Sequence, residues 1–486
     1  MKKKFFVILS FILFISILFV GCVKNDKTEE NREGKTIDTH QFNLFLDEEN
    51  NRLRGSQKVF YHLPDDGLEH IAFQLHANAY KDVAVSEDEI KSAYPDGLSF
   101  GGIEIFSVKV DEEVVTPEFC GKNEVIMEIP LSSKKCYNEE IEIEIDWEIT
   151  FPQIKHRLGV WNRVYNLGNF YPVPCVYQNG FVTNDFYTLG DPYFSDIANF
   201  EFDFDIPSQY TLACGGALSE ITPLEKGRKN VKFKGEKMRD VGFVLSDKFV
   251  MRSAMVKDCK ITYYYLEDKT PVDTINHAKM ALEFFEDTFG EYPYKSYGIA
   301  QAPFAFGGME YSGFCLVSPH EKQEDYFYTL THETAHQWWY SKVGNNQILE
   351  SWLDESLTEF STFYFYKNKS EKTYKSLVEK AYANYIFYSG ITGKTGEGSE
   401  VENSLEKFTS YSYYYNVYVK GALMFDSLYK IKGEAFISAL CDYGEKYAFS
   451  ISNRKKFINS LENSLQCELE SYFAPWLEGK VLICKY

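Results

Sequence analysis

The chain has 486 residues and a formal net charge of −20, from 51 Lys and Arg against 71 Asp and Glu. That length allows about two to four domains with an ample core, and the acidic balance argues against nucleic acid, whose phosphates need a basic face. Aromatics are 17% of residues, enough for dense packing and for aromatic-lined clefts.

The N-terminus opens with Lys2-Lys3-Lys4, then the apolar run Phe5 to Val20, then Gly21-Cys22. This is the charged-then-apolar pattern of a secretory signal, and the run is short of the roughly 20 residues a membrane span needs. The small residue before Cys22 resembles a bacterial lipobox, which implies a lipid on Cys22 and a membrane-anchored protein outside the cytoplasm. Residues 1–22 are read as this segment, and polar residues 23–40 as a disordered tether. Cys22 leaves nine cysteines with no CxxC spacing. Cys120 and Cys136 flank an expected strand and are the one candidate pair.

Residues 41–250 read as a β-rich domain. Ile141, Ile143, Ile145, Trp147, Ile149 and Phe151 alternate with Glu142, Glu144, Asp146, Glu148 and Thr150, a half-buried strand with a solvated acidic face. Phe200 to Ile206 repeats the pattern. The expectation is an antiparallel domain of packed sheets.

Residues 251–486 change character. Lys260 to Glu267 suits a strand, and Val272 to Thr288 a helix with Gly290 near its end. Further helices are predicted over Tyr326–Val343, ended by Gly344, and over 353–367, 371–388, 416–431, 434–447 and 453–463. Ser389 to Ser410, rich in Gly, Ser, Thr and charge, reads as a mobile loop near the cleft.

The chemistry concentrates in His332-Glu333-Thr334-Ala335-His336, followed after an eighteen-residue spacer by Glu355. In a helix, positions i and i+4 share a face, so both imidazoles reach one ion. Zinc takes nitrogen and oxygen ligands, and a catalytic site keeps its fourth position for water. Glu333 lies beside that face, placed to accept a proton from the water. Glu355 enters from the start of the next helix as the third ligand, and its place there also suits the helix dipole.

These residues resemble the aminopeptidase N-like gluzincins, whose pattern is HExxH, eighteen residues, then Glu in a Trp-Leu-x-Glu-Gly stretch. Here the second stretch is Trp352-Leu353-Asp354-Glu355-Ser356, with Ser356 at the usual Gly. Gly307-Gly308-Met309-Glu310-Tyr311 resembles the family's Gly-x-Met-Glu-Asn exopeptidase motif, with Tyr311 for Asn. Val417-Tyr418-Val419-Lys420-Gly421 resembles its Tyr-x-Lys-Gly motif, Tyr418 lying 63 residues after Glu355. The resemblance is strong from about Asp258 to Lys480 and diffuse before, where fragments such as Tyr171-Pro172 and Gly190-Asp191 carry it.

The resemblance implies an N-terminal β-sandwich or saddle domain followed by a thermolysin-like α+β zinc peptidase domain. It implies one zinc ion on His332, His336 and Glu355, with Glu333 as base and Tyr418 donating to the oxyanion. Glu310 would bind the free amine of a peptide, fixing which bond reaches the metal; Gly307 and Gly308 would admit the substrate backbone beside Met309. Any of Tyr411, Tyr413, Tyr414 and Tyr415 is otherwise as eligible as Tyr418. With only 68 residues after Tyr418, the expectation is an open cleft without the large helical domain common in the family.

Overall fold

In the computed structural model, residues 36–393 and 398–483 are described, so the signal-type segment and Cys22 lie outside the described residues. From Ile37 onward the chain forms one compact unit. Most of the expected tether also lies outside the described residues, but its last three residues, 38–40, belong to a strand. A strand starts at Asp38, and His40 on it is buried against Phe42 and Phe200.

The first half is built on an eight-stranded sheet whose central strands are Ala198–Pro207, Asp38–Asp47, Arg52–His62 and Glu140–Thr150. The sheet is not purely antiparallel as expected: Asp38–Asp47 runs parallel to Ala198–Pro207, so that Phe42 and Phe202 pair and stack at 4.3 Å. Two four-stranded sheets pack the other side of this core. The alternation in Glu140–Thr150 buries the isoleucines and Trp147, as the period of two requires. Its acidic face is more than solvated surface, for Lys58 meets Glu142 at 2.7 Å and Glu144 at 3.0 Å, while Arg52 and Arg54 close on a buried Glu148. These cross-strand pairs fix the register.

The second half carries a five-stranded mixed sheet, Val250–Val256, Cys259–Tyr265, Ser296–Gln301, Phe314–Val317 and, at its edge, Gly308–Tyr311. Helices follow. Pro271–Phe289 starts on a proline suited to the first helical position and stops at Gly290, whose φ of +94° favours glycine. The helix of the His motif spans Gln323–Ala335, and the expected continuation to Val343 is instead a π-helical stretch, Gln337–Lys342, and a short strand. Glu355–Lys369, Glu371–Thr392, Gly421–Lys432, Glu434–Lys446 and Arg454–Leu465 match expected helices closely. Glu470–Leu477, a further helix beyond those expected, carries Pro475 inside it.

The expected loop over residues 389–410 begins inside the helix that runs to Thr392, and residues 394–397 lie outside the described residues. Ser399 and Leu405 are buried, and Lys420 Nζ holds the Ser399 carbonyl at 2.7 Å. Cys120 and Cys136 are both exposed and unpaired. Among the described residues, no helix is long and apolar enough to cross a membrane.

Candidate metal centre and substrate cleft

The His helix presents its motif to the interior. His332 Nε2 and His336 Nε2 lie 3.1 Å apart, and Glu355 Oε2 lies 3.2 and 3.4 Å from them. Ligands held about 2.0–2.1 Å from a tetrahedral zinc lie roughly 3.3 Å from one another. The three ligand atoms therefore already have a zinc site's spacing, and the donor set of two imidazoles and a carboxylate fits the metal.

The rings are aimed by carboxylates that sequence reasoning did not single out. His336 Nδ1 meets Asp354 at 2.7 Å, and His332 Nδ1 meets Glu359 at 3.0 Å. Each contact turns Nε2 toward the centre and raises its basicity as a ligand. The signal was available: Glu359 is one helical turn after Glu355, and Asp354 is its neighbour. Burial works against a charge on His332, but its hydrogen bonds to Glu355 and Glu359 outweigh that and lift its pKa to about 9. A positive charge among these carboxylates is thus strongly favoured, which a bound cation supplies equally.

Glu333 is buried, and its Oε2 has no hydrogen-bond partner. Burial pushes its carboxyl up to about 7, against the pull of His332 and His336. Gly308 sits over it: a methyl group at that Cα would lie 2.4 Å from Glu333 Oε1. The glycine therefore makes room for the Glu333 side chain, whereas Gly307 meets only Thr329 at ordinary contact distance. Glu310, on the same edge strand, is buried and accepts from Gln347 Nε2 at 3.2 Å; the same amide donates to Asp354. Ligand-capable atoms of Glu310, His336 and Asp354 all lie within 4.8 Å of one another.

Strand alternation resolves the place of Tyr311. Met309 and Tyr311 share the face opposite Glu310, and the Tyr311 ring lies where a methyl on Gly242 would be 2.6 Å away. The larger residue fills a glycine slot in the first half and leaves Glu310 undisturbed. Tyr418 is selected from its aromatic neighbours by position: its hydroxyl donates to Glu355 Oε1 at 2.5 Å. Tyr411 is exposed, and Tyr415 stacks on Tyr388. Burial and the Glu355 charge hold the Tyr418 phenol well above its usual range, so it stays a donor.

Residues 274–476 match the peptidase family M1 domain. The chain carries an M1 peptidase domain. Its similarity to rat endoplasmic reticulum aminopeptidase 1 is 27% identity over 251 residues, 46% of this chain and 25% of that protein. To aminopeptidase N of Lactococcus lactis it is 25% over 228 residues, 41% of this chain and 25% of that protein. The matched part thus spans about a quarter of these curated relatives. The M1 zinc metallopeptidase of Deinococcus radiodurans shares the fold, with a TM-score of 0.68 at 17% identity, over 92% of this chain and 94% of that one. The architecture is accordingly a mostly β half followed by a helix-rich half that carries the match to the M1 peptidase domain.

The M1 domain does not build its cleft alone. A cavity of about 420 Å³ over the metal centre is lined also by Glu89, Arg157 and Thr188 to Asp191 from the first half. Arg157 pairs with Asp191, donates to the Gly190 carbonyl at 3.0 Å, and sets its Nε 2.9 Å from Met309 Sδ on the strand Gly308–Tyr311. Burial pushes the Asp191 carboxyl up to about 7, with Arg157 opposing and Glu355 reinforcing. In the sequence Gly190-Asp191 carries only a diffuse resemblance. Its place beside the metal ligands of the M1 domain depends on how the two halves dock.

Proposed function

We propose that this protein is a zinc aminopeptidase that removes single residues from the free N-terminus of peptides. The observation that carries this reading is the buried Glu310 carboxylate held beside His336 at the metal centre. A buried carboxylate calls for a cationic partner, and a substrate's terminal ammonium supplies one while placing the first peptide bond at the metal. Bound zinc would supply a Lewis acid for the scissile carbonyl and lower the pKa of water at the site.

The chain's residues do the rest. His332, His336 and Glu355 hold the ion. Glu333, with one oxygen unpartnered, takes the proton of the attacking water and returns it to the leaving amine. Tyr418 leaves Glu355 to donate to the oxygen on which charge develops. Support comes from the Deinococcus radiodurans fold relative, a mutant of which is described bound to a Tyr-Ser-Ala substrate. The test compares a matched peptide pair, free and N-acetylated, with zinc and with a chelator. Single-residue release from the free peptide alone, abolished by the chelator, is expected; internal cleavage of both would make it an endopeptidase.

We further propose that the enzyme is a lipoprotein at the outer face of a bacterial cell membrane, anchored through Cys22. The Lys2–Lys4 cluster, the apolar Phe5–Val20 run and Gly21-Cys22 support this reading. Mass spectrometry of the mature N-terminus tests it: a lipid-modified Cys22 is expected, and an unmodified N-terminus upstream of it would refute the anchor.

A further inference from the structure

Glu310 lines the cavity over the metal centre, and the side chain that holds it stands off the cavity wall. Gln347, only 2% exposed, donates from Nε2 to Glu310 Oε1 at 3.2 Å and from the same nitrogen to Asp354 Oδ2. Among the described residues it is the one hydrogen-bond donor to the Glu310 carboxylate. Asp354 in turn meets His336 Nδ1 at 2.7 Å. One amide therefore links Glu310, through Asp354, to a metal ligand.

The chemistry fixes which way the amide points. Glu310 and Asp354 carry oxygens within 4.8 Å of each other, and two carboxylates so close repel. Carboxylates only accept, whereas an amide nitrogen carries two N–H groups, so one NH2 serves both. Gln347 Oε1 is then left buried without a hydrogen-bond partner among the described residues. An apolar side chain of the same shape would fill the space without that cost, so space-filling does not account for the residue. The turn beneath it is braced. Asn346 Oδ1 accepts from the Ile348 and Leu349 amides at 3.1 and 3.3 Å, and Asn345 Nδ2 donates to the Glu350 carbonyl at 2.8 Å. Glu310 itself sits on an edge strand, Gly308–Tyr311, that pairs on one side only, with Phe314–Val317.

Resting on the aminopeptidase reading, we infer that Gln347 is a positioning residue for the substrate's amine. It aims the Glu310 carboxylate at the terminal ammonium and fixes its distance from His336. With Oε1 engaged by Gln347, Oε2 is the oxygen left to meet the ammonium, so the geometry that selects the first peptide bond depends on a residue that never touches the substrate.

The test is a double-mutant cycle in kcat/KM for one amino-acid anilide with a free amine, run at saturating zinc. Gln347→Met keeps the shape and removes the NH2. Should that variant fail to fold, Gln347→Asn keeps the amide but withdraws it by about 1.5 Å, past hydrogen-bond reach of Glu310. In the parent either substitution is expected to lower kcat/KM at least about tenfold, with most of the loss in KM, because the ammonium loses an aimed partner. In a Glu310→Gln background the same substitution should change it by less than about twofold, since its route is gone. Competition with a chelator on the same proteins reads zinc affinity and sets apart any loss that runs through Asp354 and His336. An equal loss in both backgrounds, or a loss confined to kcat, overturns the assignment. Full activity of Glu310→Gln on the anilide overturns amine docking at Glu310 and the role of Gln347 with it. Absence of hydrolysis of both anilide and free-amine peptides by the zinc-loaded parent overturns the aminopeptidase reading itself, and this assignment with it.

Discussion

Ser356 donates its hydroxyl to the backbone carbonyl of Val417 at 2.6 Å, a buried bond that ties the Glu355 helix to the π-helical turn carrying Tyr418. The serine stands where glycine is usual in the pattern, and its partner surface is Gly421, where a methyl group would lie 2.0 Å from Ser356 Oγ. The hydroxyl is thus a fastener between a metal ligand and the oxyanion donor. Ser356→Ala should lower stability by about 1–3 kcal/mol, because a buried acceptor loses its donor. Gly421→Ala should be worse alone, and Ser356→Gly should partly rescue it by vacating the space. Thermal melts of the three variants and the double mutant check this coupling.

Gly308 and Glu333 form a comparable contact on the other side of the metal. Gly308→Ala should displace the Glu333 carboxylate and lower kcat by about a hundredfold, since an ångström of misplacement is enough for that. Zinc content, read by metal analysis, should stay at one ion per chain. Loss of zinc together with activity would show that the strand's position, rather than Glu333, had changed.

Asp354 and Glu359 should behave as supports of the metal. Asp354→Asn and Glu359→Gln are each expected to weaken zinc binding by about 10–100-fold. Competition with a chromogenic chelator reads the affinity directly. Excess zinc should restore much of the activity, which it would not do for Glu333→Ala.

Tyr418 and Glu310 should separate in steady-state kinetics on one free-amine peptide. Tyr418→Phe removes a donor used by the transition state, so kcat should fall about 10²–10³-fold with little change in KM. Glu310→Gln removes the charge that meets the ammonium, and kcat/KM should fall by about 10–100-fold, from a charge-assisted bond of roughly 1.5–3 kcal/mol.

Glu350 gives a pH dependence away from the metal ligands. Burial, with Glu402 adding to it, raises its carboxyl to about 7, although the Arg454 backbone amide at 2.9 Å opposes this. A folded pKa above the ordinary value near 4.5 means the native state holds the proton more tightly. The protonated group's contribution is therefore fully present below that ordinary value and is lost as pH rises through about 7. Glu350→Gln should match the parent's stability near pH 5 and exceed it at pH 8 by about 1–3 kcal/mol, read by denaturant unfolding at the two pH values.

Three elements are set by long-range packing rather than by local pattern. Helical periodicity continued past His336 in the residues, yet the chain turns into π-helical geometry at Gln337, where packing of Trp338 and Trp339 into the core decides the path. The helix Glu470–Leu477, which no expectation covered, contains Pro475 and seats Phe473 and Leu477 in the core. The parallel pairing of Asp38–Asp47 with Ala198–Pro207 joins segments about 160 residues apart, which local pattern does not specify.

What the sequence determined by itself is the local chemistry: two imidazoles on one helical face, a base beside them, a third ligand at the next helix start, and a carboxylate on a glycine-flanked strand. Those features depend on spacing of 3.6 or 2 along a single element, which residues alone dictate. The tertiary structure decided everything that crosses between elements. It brought Asp191 and Arg157 from the β half to the cleft, gave Ser356 its partner, assigned Gly308 to Glu333, and chose Tyr418 from a crowd of tyrosines. Contacts between distant segments follow from how two packed halves fit, and side-chain burial sets that fit only once the whole chain has folded.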